Sequence, residues 1–195
     1  MTLKNAFDEF MFQKELAGLS PASLSDYRNY ITIMLNHVGE SMDLESVTYE
    51  LVAGYIMVLL HRPLSKATIS TYVRNARIFL RWVHAEYGLS FDPVKIKVSK
   101  PPKKNVHVLS SAEIQYLLDS VKCSVPWLTA RNKAIIALML DSGLRQNEVC
   151  TLVKKGLDFD RGALQVTGKG CKDRLVPLGY ISKMFAGRLS VSMSI

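Results

Sequence analysis

The sequence predicts a mainly α-helical protein with a small β-sheet, in which a helical N-terminal domain precedes an α+β region. Three observations lead to this prediction. Apolar residues recur with helical spacing through about the first 90 residues. A segment rich in proline and lysine follows, without any helical period. Beyond residue 155, apolar residues alternate between glycine-rich turns, which is typical of short strands.

Three helices are predicted before residue 64. The first is marked by apolar residues at i, i+3 and i+4, namely Phe7, Phe10 and Met11. The second begins behind Ser20 as N-cap, with Pro21 at its first position, and ends at Gly39. The third runs from near Thr48 to Pro63.

The fourth helix, predicted in "SKATISTYVRNARIFLRWVHAEYG", has two distinct faces. One face is apolar: Ile69, Val73, Ala76, Leu80 and Val83. A separate stripe is polar and basic: Lys66, Ser70, Arg74, Arg77 and Arg81. No acid occurs between Glu50 and Glu86 to pair with this stripe. The stripe indicates a helix that contacts a DNA groove or phosphate backbone, and the alternative is an ordinary solvated basic face.

The charge of the chain is concentrated in its middle. Residues 1–50 carry 3 basic and 8 acidic side chains, whereas residues 51–105 carry 10 basic and 2 acidic ones. The whole chain has a formal net charge of +8. A positive field concentrated in this way favours a polyanionic partner, of which nucleic acid is the commonest.

The composition also excludes several classes of protein. With 48% apolar residues over 195 positions, the chain is long and apolar enough to form a packed core. No apolar run is long enough to span a membrane, and acids occupy the N-terminal segment where a signal peptide would be apolar, so a cytoplasmic location is expected. Three widely spaced cysteines indicate neither a disulfide framework nor a cysteine-rich zinc site, and we predict no metal.

A linker is predicted to divide the chain into a helical domain at residues 1–90 and a second region at residues 109–195. Residues 91–108 form this linker and are expected to be extended. Its lysines are additional candidates for contact with phosphates: Lys95, Lys97, Lys100, Lys103 and Lys104.

The second region is predicted to begin with helices and to end in a β-hairpin. Ser110 and Glu113 form a capping box before an amphipathic helix. "RNKAIIALMLDSG" is apolar nearly all round and is interpreted as a buried helix that ends at Gly143. A short helix at 146–152 and alternating strands around "GLDFDRGALQVTGKGCKDRLVPLG" follow.

Two basic residues in this region are candidates for phosphate chemistry. Arg145 begins a helix just after Gly143, so its guanidinium has a rigid backbone support and a fork of donors that matches two phosphate oxygens. Glu148 lies on the same helical face and either orients Arg145 or forms a purely structural pair with it. Lys169, at the tip of the hairpin, is either a solubilising lysine or a general acid and phosphate contact.

These motifs resemble the tyrosine recombinases of the phage integrase family, and the pattern is close to the Xer-type members. The matching segments occur in the family's order: "SPASLSDYRNYI", "ATISTYVRNARIFLRWV", "FDP", "LSSAEI", "ALMLDSGLRQNEVCTL" and "VTGKGCKDRLVPL". The resemblance covers nearly the whole chain. It implies a helical core-binding (SAM-like) domain followed by the first part of an α+β catalytic domain.

The resemblance also implies roles for individual residues. Arg145 matches the family's first catalytic arginine, which contacts the scissile phosphate, and Lys169 matches the hairpin lysine that protonates the leaving 5′ oxygen. Lys172 and Arg174 lie on the same hairpin, where they support it or contact the DNA backbone. The implied chemistry is phosphoryl transfer by positioning and electrostatics, with no cofactor and no metal. The implied partners are double-stranded DNA and full-length recombinase subunits, because the family acts as tetramers on DNA.

The sequence departs from the family pattern after the hairpin. The family has a later His-x-x-Arg box, a further His or Trp and a tyrosine nucleophile, whereas here all four histidines precede Arg145. Tyr180 is the sole tyrosine after Arg145, and it lies where the family has no nucleophile. We therefore expect a truncated recombinase that binds DNA without cleaving it. The alternatives are a regulatory protein that occupies recombination sites or modulates a full-length integrase, and a helical interaction module that binds no nucleic acid.

Overall fold

The computed structural model describes residues 1–98, 101, 103, 105–168, 173–180 and 182–184. The chain forms two compact units, Met1–Asn105 and Val106–Ile195. The described part of the first unit is helical, and that of the second combines helices with a small antiparallel sheet. The predicted fold class, mainly α with a small β-sheet, is therefore confirmed.

Four helices build the first unit: α1 (Leu3–Leu16), α2 (Pro21–Val38), α3 (Tyr49–His61) and α4 (Lys66–Tyr87). Each begins behind a hydroxyl side chain that accepts a hydrogen bond from the backbone N–H three residues further on, and these N-caps are Thr2, Ser20, Thr48 and Ser65. Such a cap satisfies one of the amide groups that the first helical turn leaves unpaired. The predicted start of α2 behind Ser20, its end at Gly39 and the start of α3 near Thr48 are confirmed, whereas α3 ends at His61, two residues before the predicted Pro63.

An aromatic cluster joins α1 to the rest of the helical unit. Phe10 is completely buried and makes edge contacts with the rings of Tyr27, Phe79 and Trp82, at centroid distances of 5.5, 5.4 and 5.4 Å. The indole N–H of Trp82 also donates to the side-chain oxygen of Gln13 at 2.9 Å. Edge-to-face pairs add to the stabilisation that burial provides, so this cluster is central to the core.

The segment after α4 packs on the helical unit instead of extending away from it. Phe91, Pro93 and Ile96 are buried, and Val98 packs against the same core. Arg77 Nη1 donates to the backbone carbonyl oxygen of Ile96 at 3.2 Å. Residues 91–98 thus differ from the extended tether predicted from residue 91, because apolar side chains interrupt the lysine run and find a partner on the helices.

The described part of the second unit contains three helices and a sheet with strand order β1-β2-β3. The helices are α5 (Ser111–Ser120), α6 (Pro126–Ser142) and α7 (Gln146–Cys150), and the strands are β1 (Leu157–Asp158), β2 (Ala163–Thr167) and β3 (Asp173–Pro177). The capping box before α5 is confirmed, since Glu113 N–H donates to Ser110 Oγ and Ser110 N–H donates to a Glu113 carboxylate oxygen. Both strand pairings are antiparallel, as a β-meander requires.

Helix α6 is buried on one face only. Ala134, Ala137 and Leu138 are buried, whereas Met139 and Leu140 are each about 40% exposed. Near its start, the Trp127 ring is half-exposed, with the Arg131 guanidinium 5.3 Å from the ring centroid. The predicted burial of this helix is correct for one face only, because a sequence that is apolar nearly all round gives little preference for one face and packing decides which face is covered.

Hydrogen bonds connect the end of α6 to the end of β3 and to the chain that follows it. Ser142 Oγ donates to the carbonyl oxygen of Pro177 at 3.0 Å, and the Asp141 carboxylate accepts the backbone N–H of Ser182 at 3.2 Å. Gly179 lies so close to Asp141 that a β-carbon there would overlap the carboxylate. These contacts hold α6 in place up to Gly143, whose left-handed backbone (φ +62°) ends the helix and leads into α7.

Candidate functional site

Arg145 occupies the N-cap position of α7. Its backbone is extended (φ −75°, ψ 153°). The residue before it, Leu144, is buried in an apolar cluster with Leu138 of α6 and with Leu164, Val166 and Val176 of the sheet. The Arg145 side chain nevertheless remains 77% exposed. The fold therefore anchors the backbone of this arginine and presents its guanidinium to solvent.

Glu148, one turn into α7, is the acid of this site. Its side chain is only 5% exposed, and it accepts four hydrogen bonds. Arg145 contributes its backbone N–H at 2.8 Å and Nη1 at 3.2 Å. Arg174 on β3 contributes Nη1 and Nη2, each at 2.8 Å to a different carboxylate oxygen. One buried carboxylate is thus shared by two guanidinium groups, and the cluster has a net positive charge.

The two arginines change the acidity of Glu148. The hydrogen bonds from the Arg174 side chain and then from the Arg145 backbone lower the pKa of the Glu148 carboxyl to about 2. The same pairing with Glu148 raises the pKa of Arg174. Glu148 is therefore ionised at neutral pH.

Protonation of Glu148 at acidic pH should destabilise the second unit. The pKa of about 2 in the folded chain lies below the ordinary value of 4.5, so the unfolded state binds more protons between these values. The stabilising contribution is complete above pH 4.5 and is lost as the pH falls through about 2. We expect the melting temperature of the wild-type chain to fall more steeply over this range than that of Glu148→Gln. Parallel curves for the two proteins would contradict the assignment.

A shallow cleft of about 190 Å³ lies beside Glu148, between the end of α7 and strand β2. Thr151, Lys155, Gln165 and Thr167 line it together with the apolar side chains of Leu152, Val153 and Val166. The described residues contain no cluster of three or more His, Cys, Asp or Glu side chains that could hold a metal ion. Among the described residues, the site offers exposed cationic groups to a ligand: Lys155 in the cleft and the Arg145 guanidinium beside Glu148, whose planar fork suits a phosphate or a carboxylate.

Comparison with known proteins relates the chain to one family. The profile of the phage integrase family matches residues 107–192. The tyrosine recombinase XerD of Oceanobacillus iheyensis is 32% identical over 183 residues, which are 91% of this chain and 61% of that protein. Residues 107–192 belong to the phage integrase family, and the chain as a whole is similar to tyrosine recombinases. The tyrosine recombinase XerC of Thermodesulfovibrio yellowstonii is 26% identical, over 93% of this chain and 58% of that protein. The chain thus spans about three fifths of the length of these curated tyrosine recombinases.

Solved integrase structures share the fold. A λ integrase dimer bound to a COC′ core site superposes with a TM-score of 0.77 and 19% identity, over 96% of this chain and 69% of that one. The Tn1549 transposon integrase in complex with transposon right end DNA gives a TM-score of 0.76 and 16% identity, over 98% and 65% of the two chains. At these identities the likeness concerns the integrase fold alone.

The predicted catalytic residues are only partly described. Arg145 lies in the cluster with Glu148, which accepts hydrogen bonds from the backbone N–H and from Nη1 of Arg145. This geometry is compatible with either interpretation of the pair. Lys169 and Lys172 lie outside the described residues, although the strands on either side of them are described. Tyr180 is described and strongly exposed.

Among the predicted DNA contacts, the stripe on α4 is divided between exposed and half-buried side chains. Lys66, Arg74 and Arg81 are exposed, whereas Ser70 and Arg77 are half-buried, and Arg77 is bonded to Ile96. None of these basic side chains forms an ion pair with an acid in the described part of the chain. In the segment predicted as the linker, Lys95, Lys97 and Lys103 are exposed, and Lys100 and Lys104 lie outside the described residues.

Sequence reasoning placed Arg174 on the hairpin as a support or a DNA contact and missed its partner. The structure shows its side chain, 39% exposed, in a two-point contact with Glu148. The two residues are 26 positions apart, and no spacing rule relates a helix to a strand at that distance. The available signal was that Glu148 is the one acid in the sequence between Asp141 and Asp158.

No helix in the described ranges is both long and apolar enough to cross a membrane.

Proposed function

We propose that this chain is a DNA-binding protein of site-specific recombination and integration, which engages duplex DNA through α4 and the adjoining lysines and holds one backbone phosphate at Arg145. The observation that carries the proposal is the exposed Arg145 guanidinium, held at its base by the buried Glu148 carboxylate. A guanidinium supported in this way loses little freedom when it binds an anion, so it is suited to a phosphate that must be held in one position.

The basic surface of the helical unit supports the same proposal. Arg74 and Arg81 point away from the core on one face of α4 and have no acidic partner among the described residues. Lys95 and Lys97 follow in a segment whose backbone is held by Arg77 and Ile96. A surface of this kind binds phosphates with little loss of backbone entropy, and the release of counterions drives the association.

Lys169 and Lys172 complete the proposed DNA contacts in the second unit. In this proposal Lys169 lies near the leaving 5′ oxygen and acts as the general acid, while Lys172 contacts the DNA backbone. Arg174 is assigned to Glu148 on the strength of its two hydrogen bonds. Full-length recombinase subunits are the proposed protein partners, and the cytoplasm is the proposed location.

Binding without strand cleavage is the activity we propose for these 195 residues. They contain no histidine after Arg145, and Tyr180 is the only tyrosine that follows it. A suicide duplex that traps a covalent phosphotyrosine adduct tests this part directly. We expect no adduct that survives SDS, and an adduct at Tyr180 would contradict the proposal. Occupation of recombination sites as a regulator is the second candidate, which the same absence of cleavage would favour.

The affinity for duplex DNA should depend steeply on salt. If α4, the adjoining lysines and Arg145 together neutralise about five phosphates, the logarithm of the association constant should fall with a slope of about −4.5 against the logarithm of the salt concentration. The slope can be measured from the fluorescence anisotropy of a labelled duplex at salt concentrations from about 50 to about 300 mM. A salt-independent affinity, or no binding at low salt by a chain that melts cooperatively, would refute the proposal.

A further inference from the structure

The cluster around Glu148 has fewer negative charges than positive ones. Oε1 of Glu148 accepts from Nη1 of Arg145 at 3.2 Å and from Nη1 of Arg174 at 2.8 Å. Oε2 accepts from Nη2 of Arg174 at 2.8 Å and from the Arg145 backbone N–H at 2.8 Å. Two cationic side chains therefore compete for one carboxylate.

The two arginines share that carboxylate unequally. Arg174 makes a contact with each oxygen, which is the strongest geometry between a guanidinium and a carboxylate. Arg145 makes a single, longer side-chain contact and remains 77% exposed. A buried carboxylate needs a compensating positive charge, and Arg174 supplies most of it. Most of the N–H donors of Arg145 therefore remain directed to solvent.

We propose that Arg174 is a positioning residue that keeps Arg145 available to a phosphate by occupying Glu148. The inference rests on the proposed function, in which Arg145 binds a DNA phosphate. Without Arg174, Glu148 would retain Arg145 as its only cationic partner among the described residues. Arg145 would then turn both of its terminal nitrogens to the carboxylate, and fewer donors would remain for the phosphate.

The position of Arg174 in the sheet gives this arrangement a structural consequence. Arg174 pairs with Val166 in the register between β2 and β3, so its side chain reaches Glu148 only when that hairpin is correctly formed. Formation of the hairpin and availability of Arg145 are thereby coupled through one carboxylate. The coupling needs no contact between Arg174 and DNA.

Two other roles for Arg174 make different predictions. If Arg174 itself bound a phosphate, its loss would weaken binding whatever residue stood at position 148. If it were only a support for the fold, its loss would lower the melting temperature and the affinity together. If it acts by occupying Glu148, removal of the Glu148 charge should restore what the loss of Arg174 takes away.

The test uses duplex binding by the full chain and four variants: Arg145→Gln, Arg174→Gln, Glu148→Gln and the double variant Glu148→Gln/Arg174→Gln. Glutamine at 148 keeps an oxygen that can accept the Arg145 backbone N–H and removes the charge. We expect Arg174→Gln to weaken binding about tenfold and to reduce the magnitude of the salt slope by about 0.9, as for Arg145→Gln. The double variant should return to within about threefold of wild type, because glutamine still accepts the Arg145 backbone N–H while the charge that retains the Arg145 side chain is gone. Glu148→Gln alone supplies the reference for the effect of losing the carboxylate charge.

The outcomes separate this inference from the proposed function. No binding by the wild-type chain at low salt would refute the proposed function itself. Wild-type binding together with a double variant as weak as Arg174→Gln would refute the inference alone. Melting curves of each variant show whether it is folded. If Arg174→Gln does not fold, the affinity of the double variant still tests the inference. A double variant that binds as weakly as Arg145→Gln would overturn the inference, and one that binds nearly as tightly as wild type would support it.

Discussion

Replacing Arg74 and Arg81 with alanine is expected to weaken duplex binding roughly a hundredfold, at about tenfold for each arginine. Both side chains are exposed on the face of α4 that points away from the core. Each replacement removes one cation that would neutralise a phosphate, so the salt slope should also decrease in magnitude by about 1.8. Arg77 is left unchanged, because its bond to the Ile96 carbonyl oxygen makes it part of the fold.

The matched control removes two positive charges from another face of the same unit. Lys4 pairs with Asp8 on α1, and Lys14 lies over the ring of Phe10 at 5.0 Å. Lys4→Ala/Lys14→Ala changes the net charge by the same amount and should weaken binding no more than about threefold, as a general effect of net charge. Equal losses in the two double variants would mean that the net charge of the chain, and not the face of α4, determines the affinity.

Phe10→Ala is expected to destabilise the helical unit by about 3–5 kcal/mol. Phe10 has no exposed surface and contacts three aromatic rings from α2 and α4, so its removal leaves a cavity that helices held by capped ends cannot readily close. Urea unfolding of the full chain followed by far-UV circular dichroism measures the loss as a shift of the helical transition to lower urea.

Phe12→Ala provides the control on the same helix. Phe12 is 61% exposed, and its replacement removes a ring of the same size from solvent. We expect its effect on the unfolding free energy to stay within about 0.5 kcal/mol. A similar loss for both variants would show that α1 responds to helix propensity and not to the packing of Phe10.

Local features of the chain were predictable because they depend on neighbouring residues. The N-caps of α2 and α5, the end of α6 at Gly143 and the pairing of Arg145 with Glu148 involve residues no more than four positions apart. Short-range geometry determines such contacts, so a sequence pattern is sufficient to predict them. The fold class followed from the same patterns.

Contacts between distant segments could not be predicted in this way. Hydrogen bonds join Arg174 to Glu148, Arg77 to Ile96 and Asp141 to Ser182, which are 26, 19 and 41 positions apart in the sequence. Each depends on how one element packs against another, and a single sequence carries no signal for that packing. The exposure of Met139 and Leu140 on α6 has the same origin, since packing with other elements decides which of its apolar residues are covered.

The two tryptophans of the chain fall one in each compact unit. Trp82 is half-buried among Phe10, Phe79 and Tyr87, whereas Trp127 is half-exposed beneath Arg131. The two indoles should therefore emit at different wavelengths, since emission shifts to the red as an indole becomes hydrated. In each single Trp→Phe variant, the remaining tryptophan reports on its own unit alone. The order in which the two units melt, and whether DNA stabilises one or both of them, can then be measured optically without an added label.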